Sequence, residues 1–339
     1  MTETVDTPPP REQDCPRLDG DAILEGIPAV SVVVCTYTDD RWPDLAAAVE
    51  SVRCQTAPPL ETIVVVDHDE RLLARVRAEL PDVVAVPNAE ARGLSGARNS
   101  GVALARGEVV AFIDDDAVAA DDWLERLAEP YADSRVLGVG GAAEPAWECG
   151  RPARFPPEFD WVVGCTYRGM PVERARVRNL IGANMSFRRD VLTAAGPFRS
   201  GIGRIGTRPL GCEETELCIR AVRSRPDGVF VFEPRARVFH RVPPQRATYG
   251  YFGARCYAEG RSKAIVARLV GSRAGLATER SYVLRTLPRA LGRGLGDAFV
   301  RGDAGGLGRA ASVVGGLACT VAGYAAGRTT ASIPGAEKT

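Results

Sequence analysis

The first half of the chain alternates short apolar runs with stretches whose apolar residues recur every three or four positions. Val30-Ser31-Val32-Val33-Val34-Cys35 reads as a buried parallel strand. Over residues 43–55, Leu45, Val49 and Val52 share one helical face. Residues 62–66 form a second apolar run, and 69–80 a helical pattern ended by Pro81. A third strand is expected at 83–86, a helix over 95–105 stopped by Gly107, and a fourth strand at 109–113. This strand–helix rhythm predicts a Rossmann-like, doubly wound α/β sheet. The second half is mixed. It predicts an extended segment over 179–188, a helix over 213–223 and short strands at 229–232 and 237–239, and it becomes helical and basic beyond Pro243.

In doubly wound sheets, ligands bind beyond the carboxyl ends of the strands. Three such ends here are polar: Thr36-Tyr37, Asp67-His68 and Asp114-Asp115-Asp116. An Asp-x-Asp pair at the end of a buried strand offers hard oxygen ligands, which suit Mg²⁺ or Mn²⁺ shared with a diphosphate. The bland alternative is a solvated acidic turn. Arg92-Gly93-Leu94-Ser95-Gly96-Ala97-Arg98-Asn99 reads either as a backbone cradle for phosphate at a helix start or as a tight loop capped by Ser95. Gly211-Cys212-Glu213-Glu214-Thr215-Glu216-Leu217 is either an acidic helix cap or the seat of a general base. The chain has two histidines. His240 reads as a metal or diphosphate contact or as a surface residue, and His68 as a contact to base or ribose.

Composition leaves this picture in place. The 339 residues are 45% hydrophobic and 25% charged, ordinary for a globular enzyme. The formal net charge of zero hides an asymmetry. Residues 1–29 hold seven acids against two arginines, and 240–339 hold fifteen basic residues against five acids. A basic C-terminal third points to an anionic partner, while the lack of a recognisable reading motif argues against nucleic acid. The nine cysteines show no zinc spacing and read as reduced, cytosolic thiols. No GxGxxG or arginine-bearing glycine loop follows the first strand, which excludes a dehydrogenase and a nucleotidyltransferase.

Taken in order from Ser31 to His240, these segments resemble the family 2 glycosyltransferases, whose fold is GT-A. The resemblance implies a nucleoside-diphosphate-sugar donor, with Thr36, Tyr37 and Asp67 toward the base. It places Arg98, Asn99, Asp114 and Asp115 along the rest of the donor. Asp116, with Asp114 and His240, is the expected holder of Mg²⁺ or Mn²⁺. Glu214 takes the catalytic-base position with Glu213 second to it, and Asn184 and Glu216 lie on the acceptor side. Inversion at the anomeric carbon is implied as well. Two departures stand out: Asp67-His68-Asp69-Glu70 where the family commonly reads Asp-Asp-Gly-Ser, and Glu rather than Asp at the base. The Gln-x-x-Arg-Trp motif of processive synthases is absent, so a single sugar addition is expected. A non-catalytic nucleotide-sugar or lipid-binding module on the same fold is the rival reading. It would be expected to lose Asp116 or the Glu213-Glu214 pair, and both are present.

These patterns divide the chain into a disordered lead-in (1–29), a GT-A domain (30–243) and a basic, mostly helical region with a disordered tail (244–339). Within the last, residues 310–327 carry no charge but include four glycines, which predicts a packed or interface-lying helix rather than a span. A glycan or polyprenyl-phosphate-linked acceptor and a peripheral place at the cytoplasmic face of the membrane follow as expectations.

Overall fold

The computed structural model describes residues 28–204 and 210–329. The lead-in and tail expectations therefore fall almost wholly outside the described residues. The parallel half follows the sequence pattern closely. It runs β1 (Val30–Thr36), α1 (Trp42–Arg53), β2 (Glu61–Val66), α2 (Glu70–Glu79), β3 (Val84–Pro87), α3 (Leu94–Leu104) and β4 (Val109–Asp114). Period-two alternation explains the layering. Val32 and Val34 pack on one face with Leu45, Val49 and Val52 of α1, and Val33 packs on the other with Ala97 and Phe112. Asp69 caps α2 by accepting from Leu72 N at 2.9 Å.

The second half completes the sheet with β5 (Ala117–Ala119), α4 (Trp123–Ala128), β6 (Val136–Trp147), β7 (Ala175–Val177), β8 (Asn184–Arg188), α5 (Arg189–Ala195), α6 (Glu213–Ser224) and β9 (Val229–Val242). Among the described residues the strands form one mixed sheet in the order β3-β2-β1-β4-β8-β6-β9-β5, with β7 beside β9. β1 pairs in parallel with β2 and β4, and β8 runs antiparallel to β4 and β6. The two short strands expected at 229–232 and 237–239 are a single strand, which pairs with β6 across a register shift.

The C-terminal helices are α7 (Tyr249–Val270), α8 (Ser272–Gly275), α9 (Ala277–Ser281), a π-helical turn Tyr282–Thr286, α10 (Leu287–Val300) and α11 (Gly305–Thr329). Residues 310–327 thus lie within one helix, α11, which by length and composition is long and apolar enough to cross a membrane. α11 lies directly on α7: a Cβ at Gly323 would sit 2.0 Å from Tyr257 O, and one at Gly260 2.0 Å from Thr320 O. The same helices, with Phe155 and Phe159 from the segment before β7, build an apolar core that includes Phe252, Leu287 and Val313. Among the described residues seven cysteines are free, but Cys54 is disulfide-bonded, which departs from the expectation of uniformly reduced thiols.

Candidate active site

The three polar strand ends open on one cleft. Thr36, Tyr37, Asp67 and Asp114–Asp116 all line it, together with Arg41, Gly93 and Arg204. Tyr37 is 39% exposed and carries the Arg41 guanidinium 5.3 Å from its ring centroid, a flat surface of the kind a base stacks on. Thr36 Oγ1 is buried without a hydrogen-bond partner, an unmet polar atom facing the cleft residues. Asp67 shapes the loop before α3. It accepts from Gly93 N at 2.9 Å and Asn88 Nδ2 at 2.6 Å, and His68 Nδ1 lies 2.9 Å away.

Leu94 N, at the start of α3, donates to Arg204 O at 3.0 Å, and Ser95 Oγ to Ile202 O at 2.9 Å. Gly93 N, on Asp67, and Leu94 N are therefore engaged by protein, and Gly93 rather than the expected Ser95 is the N-cap of α3. Arg98 and Asn99 are corrected in the same way. Arg98 is fully buried between the Phe112 and Phe198 rings, with Nη1 2.7 Å from Glu213 Oε1, Nη2 3.0 Å from Gly182 O and 3.7 Å from Asp114 Oδ1. It is a keystone beneath the cleft, joining the strand carrying Asp114 to α6. Asn99 exchanges hydrogen bonds with the backbone of Phe198, at 2.9 and 2.8 Å.

The Asp114–Asp116 turn meets β9. Antiparallel pairing sets Ala117 opposite His240, which brings His240 Nε2 to 3.1 Å from Asp116 Oδ1 and 3.7 Å from Asp114 Oδ2. Ligand atoms of Asp114, Asp116 and His240 all lie within 4.8 Å of one another. Two carboxylates and an imidazole converging at a cleft suit Mn²⁺ or Mg²⁺. The surroundings of Asp116 supply positive charge, which stabilises its carboxylate. Arg246 Nη2 is 3.0 Å and Arg41 Nη1 3.4 Å from its Oδ2. Burial pushes the Asp116 carboxyl up, but His240, Arg246 and Arg41 outweigh it and hold it well below the usual range. Burial likewise opposes charge on His240, yet Asp116 and Asp114 raise its pKa well above the ordinary value. Asp115 takes the opposite course, since burial and Asp116 push it up to about 7 against Arg41. His240 is therefore buried at the site, not on the surface. Arg41, Arg246 and Arg204 are site residues the sequence reading missed. Nothing local marks them, because their neighbours come from β4 and α3.

Helix α6 starts after Cys212, whose φ of 73° turns the chain sharply inward. Glu213 is buried against Arg98, with Oε2 unpartnered. Glu214 is partly buried and accepts from Thr215 Oγ1 at 3.0 Å. Burial and the neighbouring Glu213 push its carboxyl up to about 7, with Lys263 and Arg98 opposing. That value suits a group that takes a proton near neutrality. The acceptor-side expectations for Asn184 and Glu216 are corrected. Asn184 is fully buried, accepts from Trp123 Nε1 at 2.8 Å and donates to Ala142 O and Ala236 O at 2.9 Å each. Glu216 is buried between Arg199 and Arg220, at 2.9 and 2.8 Å. Both hold the scaffold. Behind Glu214, Cys212 Sγ reaches Glu259 of α7 at 3.3 Å, and Lys263 bridges Glu259 and Glu279 at 3.3 and 2.8 Å.

A parallel-to-mixed sheet with an Asp-x-Asp strand end, a histidine from the last strand and an acidic helix start defines a GT-A nucleotide-sugar transferase. The family profile described as "Glycosyl transferase family 2" matches residues 31–195. The chain is 39% identical over 241 residues to the glucosyl-dolichyl phosphate glucuronosyltransferase of Haloferax volcanii, covering 70% of this chain and 77% of that protein. It is 27% identical to the succinoglycan biosynthesis protein ExoM of Rhizobium meliloti, over 69% and 73% of the two chains. A mannosyltransferase from Pyrobaculum calidifontis, solved with GDP-Man and Mn²⁺, shares the fold. Its TM-score is 0.55, with 20% identity and 87% of each chain covered. The protein belongs to glycosyltransferase family 2.

Proposed function

We propose that this glycosyltransferase moves one sugar from a nucleoside-diphosphate donor to a hydroxyl of a polyprenyl-phosphate-linked acceptor, with inversion. The observation that carries the reading is the meeting of Asp114, Asp116 and His240 at the floor of the cleft. These three residues would hold Mg²⁺ or Mn²⁺, which supplies charge neutralisation for the departing nucleoside diphosphate. Tyr37 and Thr36 receive the nucleoside, and Arg41 and Arg246 add fixed positive charge beside Asp116 for the diphosphate oxygens. Glu214, with its proton affinity raised to near neutrality, takes the proton of the acceptor hydroxyl as that oxygen attacks the anomeric carbon. Arg98 ties the donor floor to α6, so donor and base keep one geometry.

The acceptor class rests on the Haloferax relative, whose name specifies glucosyl-dolichyl phosphate. A lipid-linked acceptor and a nucleotide donor support a place at the cytoplasmic face of a membrane, with the basic C-terminal region as the proposed contact. The test is a thermal-shift screen of UDP-, GDP- and dTDP-sugars with and without Mn²⁺. One nucleotide class should stabilise the protein only with metal, and Asp116→Asn should abolish that shift. A folded protein that responds to none of them, or an unchanged response in the variant, overturns the reading.

A further inference from the structure

Helix α10 and the turn before it carry an unpartnered stripe. Leu284 is 73% exposed, Leu295 39%, Phe299 77% and Val300 84%. Leu284, Pro288, Gly292, Leu295 and Phe299 follow one another at helical spacings of three and four, so they form one line. Beside it run Arg285 and Arg289, both exposed, with Arg289 Nη1 3.3 Å from Arg285 O and no carboxylate partner for either among the described residues. The neighbouring α11 continues the apolar surface. One face of it packs on α7 and α10, and the other exposes Leu307, Val314 and Val321. Its mean hydropathy is 1.4 over a stretch that is only 28% buried.

We infer that this stripe and its flanking arginines dock the enzyme on an anionic lipid surface. An apolar line bordered by arginines is the pattern of a helix lying in a bilayer interface, with side chains in the acyl boundary and guanidinium groups at the phosphates. A second copy of the chain fits less well. The two arginines would find no free carboxylate on a facing α10, because its only acid, Asp297, is held by Arg301 and Arg309. The stripe is joined to the segments that flank β7. Tyr282 touches the Tyr167 ring at 5.3 Å and accepts from Trp161 Nε1 at 3.0 Å, and Arg178 pairs with Glu279 at 2.9 Å. The loop leading to β7 therefore rests on the turn that would meet the lipid. The inference builds on the proposed lipid-linked acceptor, to which it adds the surface and its orientation.

The test is flotation of the full chain with phosphatidylcholine vesicles, with and without phosphatidylglycerol, at low and high salt. Wild type should float with the anionic vesicles at low salt and largely dissociate at high salt. Arg285→Gln with Arg289→Gln should weaken binding by about 30-fold. Leu284→Asp with Phe299→Asp should abolish it. Both variants should keep the metal-dependent nucleotide-sugar shift, since the changed residues are exposed and distant in sequence from the cleft. Absence of wild-type flotation on anionic vesicles, or undiminished flotation of both variants, overturns the inference. So does a wild-type dimer in solution that Leu284→Asp with Phe299→Asp dissociates. Loss of nucleotide-sugar response in wild type with flotation intact would instead count against the transferase reading alone.

Discussion

Replacing Glu214 by Gln tests the catalytic reading with two opposite readouts. Gln keeps the size of the side chain and an oxygen for Thr215 Oγ1, but it cannot take a proton. Moving the carboxyl from an ordinary 4.5 to about 7 disfavours its charged form by at most about 3 kcal/mol, and by about 2 allowing for its partial exposure. Because the folded state binds this proton more tightly than the unfolded chain, the penalty on stability is absent below about pH 4.5. It grows as pH rises and is complete above about 7. Glu214→Gln should therefore melt roughly 3 °C higher than wild type at pH 8, with the gap closing toward pH 4.5. In the same variant, turnover should fall by about 10²–10⁴ through loss of the base. Wild-type kcat/KM should drop tenfold per pH unit below about 7. Calorimetry across pH and a sugar-transfer assay read both effects. A rate profile flat down to pH 5.5, a variant retaining more than a tenth of the activity, or a lower melting temperature at pH 8 would each refute the assignment.

Arg98→Met should destabilise the protein by about 3–5 kcal/mol, because it strands the buried Glu213 carboxylate, and adding Glu213→Gln should recover part of that loss. Chemical denaturation measures it, and a loss below about 1 kcal/mol would show the pair is not the keystone described. Gly323→Leu should cost about 1–3 kcal/mol or more and loosen α11 from α7, seen as faster proteolysis within α11, since its Cβ would fall 2.0 Å from Tyr257 O. Unchanged stability would mean the helices do not pack this way.

Local pattern determined much of this protein. Apolar runs and helical spacing are properties of neighbouring residues, so the parallel half from β1 to β4 was legible within a residue or two, as were the three polar strand ends and the acidic start of α6. β6 escaped because Gly138, Gly140 and Gly141 give no strand signal. A Cβ at Gly141 would sit 1.9 Å from Ala236 O, a closeness that only the assembled sheet imposes. β9 read as two strands because Glu233-Pro234-Arg235 looks like a break. The structure carries it through with Glu233 paired to Arg174 and Arg235.

The site divides along the same line. That a carboxylate turn ends a buried strand is sequence information. That His240, 124 residues further on, completes it is decided by the register of β5 against β9. Polarity alone also cannot separate a ligand contact from a scaffold contact. Arg98, Asn99, Asn184 and Glu216 carry the right groups for substrate, yet each is consumed by partners that only tertiary packing brings near. Arg41 and Arg246 are the converse, ordinary in sequence and drawn to Asp116 by the fold. The chain by itself determined its elements, its family resemblance and its acidic anchor. Which polar groups face the donor was left to long-range packing, because burial and pairing depend on residues far away in the chain.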